Sequence, residues 1–72
     1  MTTQSTIEVT INGAAREIGA GRTVDALLAE LGLHPRLVVV EHNRDILDRE
    51  QYGATEVRAG DTIELVHFVG GG

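Results

Sequence analysis

The sequence has no cysteine and no lysine, a single proline at position 35, and only 3% aromatic residues, Tyr52 and Phe68. Without cysteine there is no disulfide to staple the fold, so a packed core must hold it. Nor is there a thiol nucleophile, and without lysine there is no amine for a Schiff base. No apolar run approaches the ~20 residues of a membrane span. The opening Met1–Ser5 is polar, with neither the basic start nor the apolar stretch of a signal peptide. The expected location is cytoplasmic, with no membrane partner. Basic charge is also scarce: six arginines, at 16, 22, 36, 44, 49 and 58, face eleven acidic residues, for a net charge of −5. Nucleic-acid binding needs clustered cations, so no nucleic-acid partner is expected. An acidic surface favours encounter with a basic protein.

What remains is one small globular domain. At 72 residues there is room for a single core, and the 42% apolar content argues against disorder. Such a core supplies about 3–5 kcal/mol of net stability. Ile7, Val9 and Ile11 alternate with polar residues, which predicts a half-buried strand over 6–12. Asn12-Gly13 is a strong hairpin signal, because a type I′ turn needs positive φ at both central positions. Ala14 to Ile18 is the returning strand, ended by Gly19-Ala20-Gly21. Thr23 is a helix N-cap with Asp25 in the first turn. Val24, Leu27, Leu28 and Leu31 form one apolar helix face, stopped by Gly32 and Pro35. Leu37 to Val40 reads as a central strand and Asp45 to Leu47 as a short edge strand. Around Arg49 to Ala54 the pattern is irregular, with Tyr52 anchoring a loop or one helical turn. After the turn Ala59-Gly60-Asp61, the strand over 62–68 puts Ile63, Leu65 and His67 on one face and Glu64, Val66 and Phe68 on the other. The first and last strands read as central neighbours. The order predicts an α+β architecture, a mixed four- to five-stranded sheet packed on one helix, which is the β-grasp or ubiquitin-like fold. The expected organisation is a β-grasp domain over 1–69 and a flexible glycine tail over 70–72.

Catalytic constellations are missing from the pattern. His34, His42 and His67 have no metal-ligand spacing, so no metal site is expected. His34, before Pro35, reads as solvated or capping, His42 as exposed near a strand end, and His67 as a satisfied strand histidine. Gly13, Gly19 and Gly21 form no phosphate loop, and Asp45, Asp48 and Glu50 read as a solvated loop face. An enclosed enzyme pocket would compete with so small a core. The chain therefore reads as a non-enzyme without a bound cofactor.

The unusual feature is the end of the sequence, where Val66 and Phe68 run through Val69 into Gly70-Gly71-Gly72. Glycines carry no side chain and have wide backbone freedom, so they can thread a narrow channel. From Phe68 the stretch reaches about 16 Å at ~3.3 Å per residue. A terminal carboxylate there is a weak nucleophile toward the α-phosphate of ATP, given an activating enzyme and Mg²⁺. The plainer reading of such a stretch is a linker. Strand parity makes Val66 and Phe68, with Val39 beside them, an exposed apolar patch of the kind that marks protein interfaces, unless Phe68 folds back on Tyr52 or the edge loop.

From about Ile7 to Gly72 the chain resembles the ThiS family of ubiquitin-like sulfur carriers in thiamine thiazole biosynthesis. The resemblance is carried by Gly21-Arg22-Thr23-Val24 with Leu27-Leu28, by Val38-Val39-Val40-Glu41 with Asn43, by Arg49-Glu50-Gln51-Tyr52 and by Gly60-Asp61. Its most specific part is the ending His67-Phe68-Val69-Gly70-Gly71-Gly72. Asp48 departs from the pattern, standing where such carriers often have proline. The resemblance implies that an E1-like adenylyltransferase of the ThiF type activates Gly72 with ATP and Mg²⁺. A sulfurtransferase and cysteine desulfurase system then supplies sulfur as a thiocarboxylate. A thiazole synthase of the ThiG type takes up that sulfur. It further implies that Gly70, Gly71 and Gly72 thread the partner active site, with Val39, Val66, Phe68 and Val69 as the partner-binding surface. The absence of cysteine fits, since sulfur on this chain must sit on the carboxyl. Alternatives are a small subunit of molybdopterin synthase or another β-grasp sulfur carrier, a ubiquitin-like protein modifier, and a plain binding module.

Overall fold

The structure, a computed structural model, describes residues 5–68. Strands β1 (Thr6–Ile11) and β2 (Ala14–Gly19) are followed by helix α1 (Val24–Glu30). Then come β3 (Val38–His42), β4 (Asp45–Ile46) and β5 (Thr62–His67), with single 3₁₀ turns at Pro35–Leu37 and Arg49–Gln51. The five strands form one mixed sheet in the order β2-β1-β5-β3-β4. β5 is central, parallel to β1 and antiparallel to β3. This is the β-grasp arrangement that the element order predicts.

Local chemistry explains the elements. Asn12 and Gly13 take φ of 51° and 83°, which closes the β1–β2 hairpin in the type I′ manner. The Thr23 hydroxyl accepts from the Ala26 N–H at 3.2 Å and caps α1. At the other end Gly32 turns with φ of 74°, the Gly32 N–H donates to Ala29 and the Leu33 N–H to Leu28. That pair of bonds is a Schellman stop, and it needs the positive φ that glycine tolerates.

The helix covers one face of the sheet. Val24, Leu27 and Leu28 pack on Val9, Ile11, Ile18, Val38, Val40 and Ile63, joined by Tyr52 and Val57. Tyr52 is 3% exposed, and its hydroxyl donates to the Val38 carbonyl at 2.8 Å. It therefore anchors the loop after β4, as its position suggests. Backbone bonds from Val24 to Thr55, Asp25 to Tyr52 and Val57 to Arg22 tie the same loop to the start of the helix.

Several boundaries differ from the sequence pattern. β3 begins at Val38, because Pro35 fixes a 3₁₀ turn that takes in Leu37, and it runs on to His42. His42 is half-buried rather than exposed, because the β3–β5 register sets it beside Asp61. His67, read as a satisfied strand histidine, is the last residue of β5 and is exposed. β5 continues past the point where β1 turns away at Asn12, so His67 stands beyond the covered part of the sheet. His34 caps the 3₁₀ turn, its Nδ1 accepting from the Arg36 N–H at 3.2 Å.

Candidate functional site

The face of the sheet opposite the helix carries no covering element among the described residues. Antiparallel pairing sets Val39 opposite Val66 and Glu41 opposite Glu64, and Ile46 opposite Glu41. All of these share the bare face. Val66 is 55% exposed, Phe68 50% and Ile46 71%, with Leu37 also exposed and Val39 half-buried. The Phe68 N–H donates to the Leu37 carbonyl at 2.8 Å, so the backbone pairing runs one residue past β5 and holds Phe68 next to Leu37. Tyr52 lies in the core on the other side, so Phe68 does not fold back on it.

Val39, Val66, Phe68 and Leu37 thus make one apolar patch at the end of the sheet from which the chain leads toward Gly70. Sequence parity marks Val66, Phe68 and Val39. It misses Leu37, which the apolar run assigns to the third strand, and Ile46, whose side follows only from its pairing with Glu41. Val69, Gly70, Gly71 and Gly72, and with them the domain boundary at 69/70, lie outside the described residues.

Beneath the patch the face turns acidic. Glu41 and Glu64 are cross-strand partners, as are Glu8 and Glu17. Like charges directly opposite one another oppose folding, so each pair costs some stability. A shallow groove lined by Glu41, Arg44, Thr62, Glu64 and Val66 joins this acidic band to the patch.

The lower end of β5 is held by polar bonds. His42 Nε2 and Asp61 Oδ2 lie 2.7 Å apart in a half-buried pair. Asp61 also accepts from the Arg58 N–H at 2.9 Å and from Asn43 Nδ2 at 3.2 Å. Burial alone pushes the Asp61 carboxyl up, but the Arg58, His42 and Asn43 bonds together hold it below its ordinary value of 3.8. Asn43 Oδ1 accepts from the Thr62 N–H at 2.8 Å and closes the junction. These groups brace the sheet and do not converge on a cavity. Among the described residues no cluster of three or more His, Asp or Glu is placed to hold a metal ion, and no helix is long and apolar enough to cross a membrane.

The ThiS family model matches residues 9–72, nearly the whole chain and including the glycines. The chain belongs to the ThiS family. It is 46% identical over 50 residues to the sulfur carrier protein ThiS of Bacillus subtilis, a match covering 69% of this chain and 76% of that one. Against ThiS of Escherichia coli it is 32% identical, covering 92% of this chain and all of the other. A thiazole synthase of Paramagnetospirillum magneticum is 44% identical over 66 residues. The chain spans about a fifth of the length of the thiazole synthases it matches. Among solved structures, the crystal structure of the thiamine biosynthesis protein ThiS from Geobacter metallireducens superposes with a TM-score of 0.79 at 35% identity. That match covers 92% of this chain and all of the other.

Proposed function

We propose that this chain is a sulfur carrier of thiamine biosynthesis whose Gly72 carboxyl holds the sulfur. The observation that carries this reading is that the family match extends through Gly72, behind an uncovered apolar patch at the end of β5. Val39, Val66, Phe68 and Val69 dock on a partner, and Gly70 to Gly72 reach its active site. In the first step a carboxylate oxygen of Gly72 attacks the α-phosphorus of ATP, the bond to the bridging oxygen breaks, and pyrophosphate leaves. ATP and Mg²⁺ are bound by an E1-like adenylyltransferase, not by this chain. In the second step the terminal sulfur of a persulfide, built by a cysteine desulfurase and sulfurtransferase, attacks the acyl carbon, and AMP leaves with the electron pair of the broken C–O bond. A thiol then attacks the persulfide's inner sulfur in the resulting acyl disulfide, loses its proton and is oxidised to a disulfide, and the S–S electron pair leaves on the thiocarboxylate.

The chain is the substrate of these steps and supplies no catalytic group. Its part is to present an unbranched backbone and a docking face. The matched thiazole synthases carry a segment like this chain within a much longer protein, which supports a thiazole synthase as the acceptor of the sulfur. A cytoplasmic location follows from that chemistry.

The test is the intact mass after incubation with ATP, sulfide and an E1-like enzyme. The expected result is the exchange of one oxygen for sulfur, absent when Gly72 is deleted. An unchanged mass beside an enzyme that activates a known carrier rejects the reading.

A further inference from the structure

β5 outlasts its neighbour β1, and the way the gap is filled assigns a task to Asn12. Along the parallel β1–β5 ladder the Thr10 N–H donates to Asp61 and the Asn12 N–H to Ile63, both at 2.9 Å. The next rung would need the N–H of residue 14. By then the chain has turned, and Ala14 is paired with Ile11 in β2. The side chain of Asn12 takes the vacant place. Its Oδ1 accepts from the Leu65 N–H at 2.7 Å, and its Nδ2 donates to the Leu65 carbonyl at 3.3 Å. One amide thus supplies both the acceptor and the donor that a backbone residue would have offered. The left-handed conformation that brings it there, φ 51°, is one that asparagine tolerates well.

Resting on the carrier reading above, we propose that Asn12 is a positioning residue for sulfur loading. It holds Leu65, so that Val66 and Phe68 are presented to the partner in one fixed arrangement. Without it, the end of β5 keeps only its bonds to β3. The docking patch must then be ordered at the moment of binding, which weakens association but leaves the chemistry of the bound state alone. That predicts a higher KM for this protein with an unchanged kcat in the activation reaction.

Two variants separate this role from the turn. Asn12→Gly keeps the positive φ the turn requires and removes the amide. With the β1–β2 amide shifts unchanged, it should speed hydrogen exchange at Leu65 about fivefold, the scale of one modest hydrogen bond. It should also lower the relaxation order of Val66 to Phe68 and raise KM about three- to fivefold at constant kcat. Asn12→Asp keeps the acceptor and loses the donor. Below its ordinary pKa of about 3.9 a protonated carboxyl can donate again, so its Leu65 exchange, taken as a ratio to the wild type at the same pH, should return toward unity on acidification.

Unchanged Leu65 exchange in Asn12→Gly with the turn intact overturns the inference. So does a pH-independent ratio in Asn12→Asp, or a fall in kcat at constant KM. If the wild type itself is not activated, the carrier reading fails, and the exchange and relaxation arms still decide whether Asn12 holds the end of β5.

Discussion

Ile63 and Val66 sit three residues apart on β5, yet the first is fully buried and the second 55% exposed. The same contrast runs across the sheet. Val38 and Val40 disappear beneath α1, while Val39 between them stays half-buried on the other face. Both faces are built by the same period-two alternation of apolar side chains. Only one receives a helix. Apolar area on the covered face stabilises the fold, and apolar area on the bare face stays in water, as surfaces that meet partners do. The bare face also bears two cross-strand pairs of glutamates, which folding alone does not favour.

Substitutions that break this contrast should act in opposite ways. The largest stability effect is expected on the covered face. Leu28→Ala removes a fully buried side chain and should cost about 3 kcal/mol. That is most of the stability available to a domain this small, so a denaturant titration should find the variant's midpoint moved close to zero denaturant.

On the bare face, Val66→Asp should change the denaturation midpoint by less than about 1 kcal/mol, because the side chain already meets water. Its dissociation constant for the activating enzyme should rise by at least about thirtyfold, as for a charge set into an apolar interface core. Equal affinity for the variant and the wild type would mean that partners dock elsewhere.

Asp61→Asn probes the brace beneath both faces and should cost about 1 kcal/mol at neutral pH. The carboxyl sits below its ordinary 3.8 in the fold. Its contribution is therefore fully present above that value and is lost as pH falls through the lower folded pKa. Wild-type stability should decline over this acid range, and the Asp61→Asn variant should decline less steeply. Parallel curves from thermal melts would remove Asp61 from the acid response.

Smallest of all, Glu64→Gln relieves the repulsion with Glu41 and should add about 0.5 kcal/mol of stability. The same change should slow association with a basic partner at low salt.

The fold was legible where the signal is local. Asn12-Gly13, the Thr23 cap and the Val24-Leu27-Leu28-Leu31 stripe each lie within a few residues, and each forms as its spacing predicts. The pairing of β1 with β5 followed from their matching alternation. Signals that depend on register were not legible. His42 and Asp61 lie 19 positions apart, and Asn12 and Leu65 lie 53 apart. No pattern in the chain announces either contact, because it is the β5 pairing that brings the groups together. The site was half legible for the same reason. Parity exposed Val66 and Phe68, but Ile46 joined them only through its rung with Glu41. The proposal that the three glycines act as an arm rests on resemblance and not on spacing, since three glycines alone suit a linker equally well.

The central claim is that sulfur on Gly72 is carried to a thiazole-forming enzyme, and the mass of the carrier before and after that encounter tests it most directly. The thiocarboxylate form should revert to the carboxylate when a thiazole synthase and its substrates are added, and should persist when the synthase is omitted. A thiocarboxylate that survives an active synthase would contradict the account.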